Sequence, residues 1–66
     1  MSTVSSFHHL STFAAVRAER RAILTRAAEQ EALRQAARER RDWPTMARAE
    51  LELGRLWRRF GELGDA

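Results

Sequence analysis

The chain has 66 residues, a formal net charge of +3 and no cysteine. Chains of this length rarely fold stably without disulfides, a metal or association, and the lack of cysteine excludes disulfides and thiolate metal sites. The adjacent His8 and His9 would point about 100° apart on a helix, too far for shared chelation. We therefore expect no metal, no cofactor and no small-molecule substrate.

The pattern of apolar residues argues against a membrane protein. No segment approaches the ~18–20 apolar residues that span a bilayer, and no basic residue precedes the first apolar positions, as a secretory signal requires. We predict a cytoplasmic protein. All 12 basic residues are arginine, which together with the abundant alanine suggests a bacterial coding sequence.

Residues 1–11 are rich in Ser, Thr and His, and we predict a flexible N-terminal arm there, or one loose helical turn. Ser11 or Thr12 is suited to cap a following helix, because its hydroxyl can accept a hydrogen bond from a free backbone amide. Residues 13–41 contain no Gly or Pro and consist mostly of strong helix formers. We predict one long helix, within a single hairpin domain over residues 12–66.

The two halves of this long helix place their apolar residues on opposite faces. The first half groups Phe13, Val16, Ile23, Leu24 and Ala27, and the second half groups Ala32, Leu33, Ala36 and Ala37. Two interpretations follow from the helical period. Either the helix bends near residues 28–30, or it stays straight and contacts a different neighbour with each half.

The sequence Asp42-Trp43-Pro44 predicts a break, because proline disfavours helical geometry in the residue before it and suits the start of a helix. Asp42 or Trp43 would cap the second helix, which we expect to end near Phe60 with Gly61 and Gly64 as terminators. Its apolar stripe falls within an arc of about 120°. The stripe comprises Met46, Ala49, Leu53, Leu56, Trp57, Phe60 and Leu63.

The second half of the chain resembles the first helix and turn of a tetratricopeptide repeat. The spacing of that family's leucine, glycine, aromatic and small residues is met by Leu53, Gly54, Trp57, Gly61, Leu63 and Ala66. Pro44 and Ala32 fit the end and the second helix of a preceding repeat, whereas Glu19 and Arg20 depart from its start. The resemblance covers residues 32–66 and implies protein or peptide binding in a helical groove. Because arrays need about three repeats, we interpret the chain as a repeat-like hairpin.

Together these features predict an all-α helical hairpin of one long and one shorter helix, which completes a four-helix bundle as a homodimer or on a partner. One two-helix contact buries too little apolar surface to offset the entropy of ordering the chain. The residues predicted for the core or interface are Phe13, Val16, Ile23, Leu24, Leu33, Met46, Leu53, Leu56, Trp57, Phe60 and Leu63.

We interpret the chain as a protein–protein interaction module, an adaptor or regulatory subunit. It is not expected to be an enzyme, because its carboxylates form no acid–base pair and its Ser and His residues lie in the arm. An Arg-rich regulator that binds nucleic acid is the alternative, and a peptide lying on a membrane surface is a third, less favoured one. The candidate partner or phosphate contacts are Arg20, Arg21, Arg40, Arg41, Trp43, Arg58 and Arg59.

Overall fold

The computed structural model describes residues 2–64, and the side chains of residues 12–64. It contains helix α1 (Ser2–Glu39) and helix α2 (Trp43–Gly64), with no strand among the described residues. Glu19 and the later Arg26 of α1 pair with Arg59 and the earlier Glu52 of α2, respectively, which shows that the helices run antiparallel. The prediction of an all-α hairpin with one long and one shorter helix is confirmed.

Helix α1 begins earlier than the sequence predicts. Its backbone is helical from Ser2, so the segment expected to form an irregular arm before a cap at Ser11 or Thr12 is instead part of the helix. No Gly or Pro interrupts this segment, and adding a residue to an existing helix costs far less than nucleating one. The helix also passes through residues 28–30 without interruption.

The turn between the helices uses one residue in the left-handed conformation, Arg41, whose φ is 58°. The amide of Asp42 donates to the carbonyl of Ala37 (2.8 Å), and the amide of Arg41 donates to that of Arg38 (3.1 Å). These two hydrogen bonds form a Schellman motif, which ends a helix by pairing its last free carbonyls. Arginine stands where glycine would be least strained.

Asp42 also begins α2. Its Oδ1 accepts a hydrogen bond from the amide of Thr45 (3.3 Å), the interaction of an N-cap residue. Pro44 is in the first turn of α2, where its missing amide hydrogen removes no helical hydrogen bond. The predicted break is confirmed with Asp42 as the cap, but it lies at residues 40–42, and α2 begins at Trp43, one residue before the predicted start at Pro44.

The helices pack along two stripes in which steps of four and three residues alternate, the spacing of a coiled coil. On α1 the stripe comprises Val16, Arg20, Ile23, Ala27, Gln30, Arg34 and Ala37; on α2 it comprises Met46, Ala49, Leu53, Leu56, Phe60 and Leu63. The buried members are Ile23, Ala27, Ala37, Ala49, Leu53 and Leu63. The long polar members of the α1 stripe are half-buried and cover the seam with their aliphatic stems.

Helix α2 ends later than predicted. It runs through Gly61 to Gly64, and no described glycine has a positive φ, so the prediction that Gly61 terminates the helix near Phe60 was wrong. The extra turn buries Leu63, which is only 8% exposed. Burying a leucine is worth about 1.5–3 kcal/mol, which exceeds the ~1 kcal/mol that an interior glycine costs a helix.

Candidate interaction surface

The two ion pairs that join α1 to α2 among the side chains of residues 12–64 lie on one side of the hairpin. Arg59 donates to Glu19 from Nε (2.7 Å) and from Nη2 (3.2 Å), and Nε of Arg26 lies 3.5 Å from Oε1 of Glu52. On each helix the two participants are seven residues apart, which is almost two helical turns. We call this side the ion-pair face, defined by Glu19, Arg26, Glu52 and Arg59.

The hydrogen bonds between Arg59 and Glu19 shift the pKa of both groups. They lower the pKa of the Glu19 carboxyl, and the attraction between the two charges lowers it further. The same contact raises the pKa of the Arg59 guanidinium. Both groups therefore stay charged at neutral pH, and the ion-pair face is occupied by contacts within the chain.

The opposite side of the hairpin carries large apolar side chains that the chain itself leaves exposed. Leu24 is 49% exposed and Trp57 is 46% exposed. Each is two positions from a member of the ion-pair face, Arg26 or Arg59, and so lies about 160° around its helix from that residue. Phe13, eleven positions before Leu24 and within about 20° of it around α1, is 57% exposed.

Trp57 is held in place by the hairpin although much of its ring is open to solvent. It meets Phe60 edge to face, with ring centroids 5.8 Å apart and an interplanar angle of 85°. The guanidinium carbon of Arg20 lies 5.4 Å from the centroid of Phe60. The contact between the rings and the cation contact on Phe60 are each worth about 0.5–1.5 kcal/mol, so they favour one orientation of the indole.

Two glycines flank Trp57 on α2 at steps of three and four residues, Gly54 before it and Gly61 after it. A Cβ at either glycine would meet no heavy atom within 4 Å, and neither residue has a positive φ. Neither packing nor backbone conformation within this chain therefore requires glycine at these positions. The bare backbone on both sides of the indole leaves room for close packing by another helix. We call this side the Trp57 face, comprising Phe13, Leu24, Gly54, Trp57 and Gly61.

The predicted core or interface residues divide into three groups. The buried ones are Ile23, Leu53 and Leu63, and the half-buried ones are Val16, Met46, Leu56 and Phe60. The exposed ones are Phe13, Leu24, Leu33 and Trp57. Leu33 lies in a groove with Arg26 and Glu52, on the ion-pair face, so the other three exposed residues share the opposite side.

The sequence did not identify Gly54 and Gly61 as parts of an exposed surface. Gly61 was interpreted as a helix terminator, and Gly54 was considered only through the repeat resemblance. The signal that identifies them is their spacing around Trp57 together with a helix that continues beyond both. Among the other residues of the repeat resemblance, Ala66 lies outside the described residues.

The predicted arginine contacts do not form one surface. Arg20 lies against Phe60 and Arg59 is paired with Glu19, whereas Arg21 lies in a shallow groove lined by α1 residues only. Arg58 is on the side of α2 that faces away from α1, because it is five positions from Leu53 and so about 140° around the helix.

The remaining candidates lie at the turn, where Arg40 and Arg41 are exposed. They are about 30 Å along the hairpin from Arg20 at 1.5 Å per helical residue. Trp43 is 54% exposed and lines a groove there with Arg38 and Glu50. Arg20, Arg21, Arg58 and Arg59 therefore lie at one level of the hairpin but point in different directions. Arg40 and Arg41 lie at another level.

Among the residues whose side chains are described, no three His, Asp or Glu side chains cluster as metal ligands would. His8 and His9 lie outside that range. Neither helix combines, within residues 2–64, the length and apolar character of a membrane-spanning segment. Comparison with known proteins finds no matching family model and no similar chain among curated proteins or solved structures.

Proposed function

We propose that this chain is a small protein–protein interaction module, an adaptor or regulatory subunit, which binds through the Trp57 face. The observation that carries the proposal is the exposure of Leu24 and Trp57 on the side opposite the ion pairs. Tryptophan is enriched among the residues that dominate binding energy at protein interfaces. Covering the exposed part of two large apolar side chains supplies a driving force that the isolated hairpin lacks.

The orientation of Trp57 supports the same conclusion. An indole fixed by Phe60 loses little side-chain entropy on binding, and ordering a free side chain at an interface costs about 0.5–1.5 kcal/mol. The flanking Gly54 and Gly61 favour a partner that packs a helix against α2, because bare backbone lets two helices approach closely. The partner's chemistry is therefore an apolar helical surface.

The arrangement of the arginines gives the nucleic-acid alternative less support. A phosphate-binding surface gains affinity from several cations that meet one backbone, and here Arg20 and Arg59 are engaged within the chain. Arg40 and Arg41 lie at the far end of the hairpin. Fluorescence anisotropy with labelled DNA and RNA tests this alternative. Tight binding that weakens steeply with added salt would favour it over the proposed module.

A photo-crosslinking experiment tests the interaction module directly. The photoreactive residue p-benzoylphenylalanine replaces Leu24, on the Trp57 face, or Leu51, which is 65% exposed and lies outside that face. In the cells that produce the chain, we expect protein adducts from position 24 and few from position 51. Equal yields from both positions, or no adduct from position 24, would overturn the proposal.

A further inference from the structure

We infer that the occupant of the Trp57 face is a second copy of this chain, so that two hairpins stack into a four-helix bundle. The inference rests on the proposed function and names its partner. It follows from the surface area of the hairpin, from its thickness, and from the complementarity of the Trp57 face with itself.

The surface area of the chain is larger than that of a compact monomer of the same mass. The hairpin exposes 5539 Å², whereas a compact monomer of its mass exposes about 4,300 Å². The surplus, roughly 1,200 Å² per chain, exceeds the ~800 Å² that each partner contributes to an interface of standard size. One interface with a protein of similar size is enough to remove it.

The thickness of the hairpin points in the same direction. The molecule measures 59 × 16 × 13 Å, and its radius of gyration is 16.8 Å, against about 11 Å for a globular chain of this length. The two short dimensions are those of the Cα traces of two helices packed side by side, so the hairpin is a single layer of helices. Stable domains contain at least two packed layers of secondary structure, and a second hairpin supplies the missing layer.

The Trp57 face carries both parts of a self-complementary contact. In a two-fold interface the same patch must provide the projection and the recess that receives it. Trp57 is the projection, and the bare backbone at Gly54 and Gly61 is the recess. A two-fold axis near Trp57 would place the indole of each copy against the glycine positions of the other. Leu24, at the same level of the hairpin, would be covered in both copies.

The ion-pair face is less suited to this contact. Its charged side chains already form two ion pairs within the chain, Glu19 with Arg59 and Arg26 with Glu52. Burying these pairs at an interface would remove their hydration. Leu33 is its large exposed apolar residue, at 42%. The Trp57 face is therefore the side we assign to the second copy.

Sedimentation equilibrium of the purified chain tests the inference. We expect a mass twice the chain's 7.6 kDa at micromolar concentration. Gly61→Leu should weaken dimerisation by about a hundred-fold, because it fills the recess at the centre of the interface. The control Arg55→Leu adds the same side chain at an exposed position of α2 outside the Trp57 face, and it should leave the dimer unchanged.

A second variant, Gly61→Ala, separates association from helix stability. Because a Cβ at Gly61 meets nothing within the chain, alanine should raise helicity by circular dichroism at high dilution, and yet it should weaken dimerisation. If Gly61→Leu loses its helical circular-dichroism signal, its loss of dimerisation reflects unfolding, and the result for Gly61→Ala alone tests the interface. A dimer as tight as that of the parent chain in Gly61→Ala overturns the assignment of the interface.

Crosslinking through a single introduced thiol locates the contact. The chain has no cysteine, so Leu24→Cys and Leu51→Cys each carry one reactive group. A short bis-maleimide should link two copies through position 24 and not through position 51. Equal crosslinking of the two variants would place the interface elsewhere.

The two proposals can fail separately. If the purified chain is a monomer at micromolar concentration, while photo-crosslinking from position 24 captures a different protein in cells, the second-copy inference is wrong and the interaction module stands. If the chain is a monomer and position 24 gives no adduct, both are wrong.

Discussion

Replacing Arg41 with glycine should stabilise the hairpin. Arg41 has a φ of 58°, where the Cβ of an L-residue comes too close to its own backbone. Glycine has no Cβ and adopts this conformation freely. In the parent chain the amide of residue 41 donates to the carbonyl of Arg38, with 3.1 Å between nitrogen and oxygen. Glycine has the same amide, so the turn loses no hydrogen bond.

The expected gain is the difference between two terms. Relief of the left-handed conformation is worth about 1–2 kcal/mol, and the greater freedom of glycine in the unfolded chain takes back about 0.4–1 kcal/mol. The net gain is therefore about 0.5–1 kcal/mol in the free energy of unfolding. For a domain of this size such a gain raises the melting temperature by roughly 2–8 °C.

Thermal unfolding followed by circular dichroism measures this change at one fixed protein concentration, since association also affects the melting temperature. Arg40→Gly is the matched control, because it removes the same side chain and charge from a residue without a positive φ. That substitution should destabilise the chain by about 0.5–1 kcal/mol. If both variants lose stability equally, residue 41 is not left-handed in solution and our description of the turn is wrong.

Three further predictions test the seam, the ion pair and the cap. Leu53→Ala should lower the free energy of unfolding by about 2–5 kcal/mol in urea titrations, whereas Leu51→Ala should change it by less than about 0.5 kcal/mol; similar losses would contradict the assigned seam. Because Arg59 lowers the pKa of Glu19 below its ordinary 4.5, the pair stabilises the fold above that pH, and this stabilisation is lost as the pH falls through the lowered pKa. Glu19→Gln should therefore reduce the loss of stability between neutral and acidic pH, and an unchanged pH profile would refute the pairing. Asp42→Ala should lower the melting temperature by a few degrees through loss of the cap, whereas Asp42→Asn should retain most of the stability.

The sequence predicts α2 and the turn well because both depend on local chemistry. The apolar stripe of α2 is uninterrupted, and its buried members Ala49, Leu53 and Leu63 were all assigned to it. The break also followed from neighbouring residues, since proline is suited to the first turn of a helix and aspartate to its cap, although Trp43 is helical. The end of α2 was misplaced because the packing of Leu63, a contact with the other helix, outweighs the local preference of Gly61.

The contact face of α1 was harder to identify. Its stripe includes Arg20, Gln30 and Arg34, which are half-buried in the structure but read as solvent-exposed positions in the sequence. The sequence pattern groups Leu24 and Phe13 with Ile23 on one face of α1, whereas in the structure they are part of the Trp57 face and Ile23 is buried against α2. An apolar pattern shows which residues prefer burial and leaves open which neighbour buries them.

The sequence by itself determined two helices, a break close to Asp42 and the amphipathic character of α2, because helix propensity, capping and proline act over a few residues. Only the tertiary structure decided which side of the hairpin carries ion pairs within the chain and which side exposes apolar side chains. Glu19 and Arg59, forty positions apart, meet only when the helices align in register. That alignment places Trp57 on the other side of the hairpin. The helical period fixes how side chains are arranged around one helix, whereas the helix packed against it decides which of its faces becomes buried.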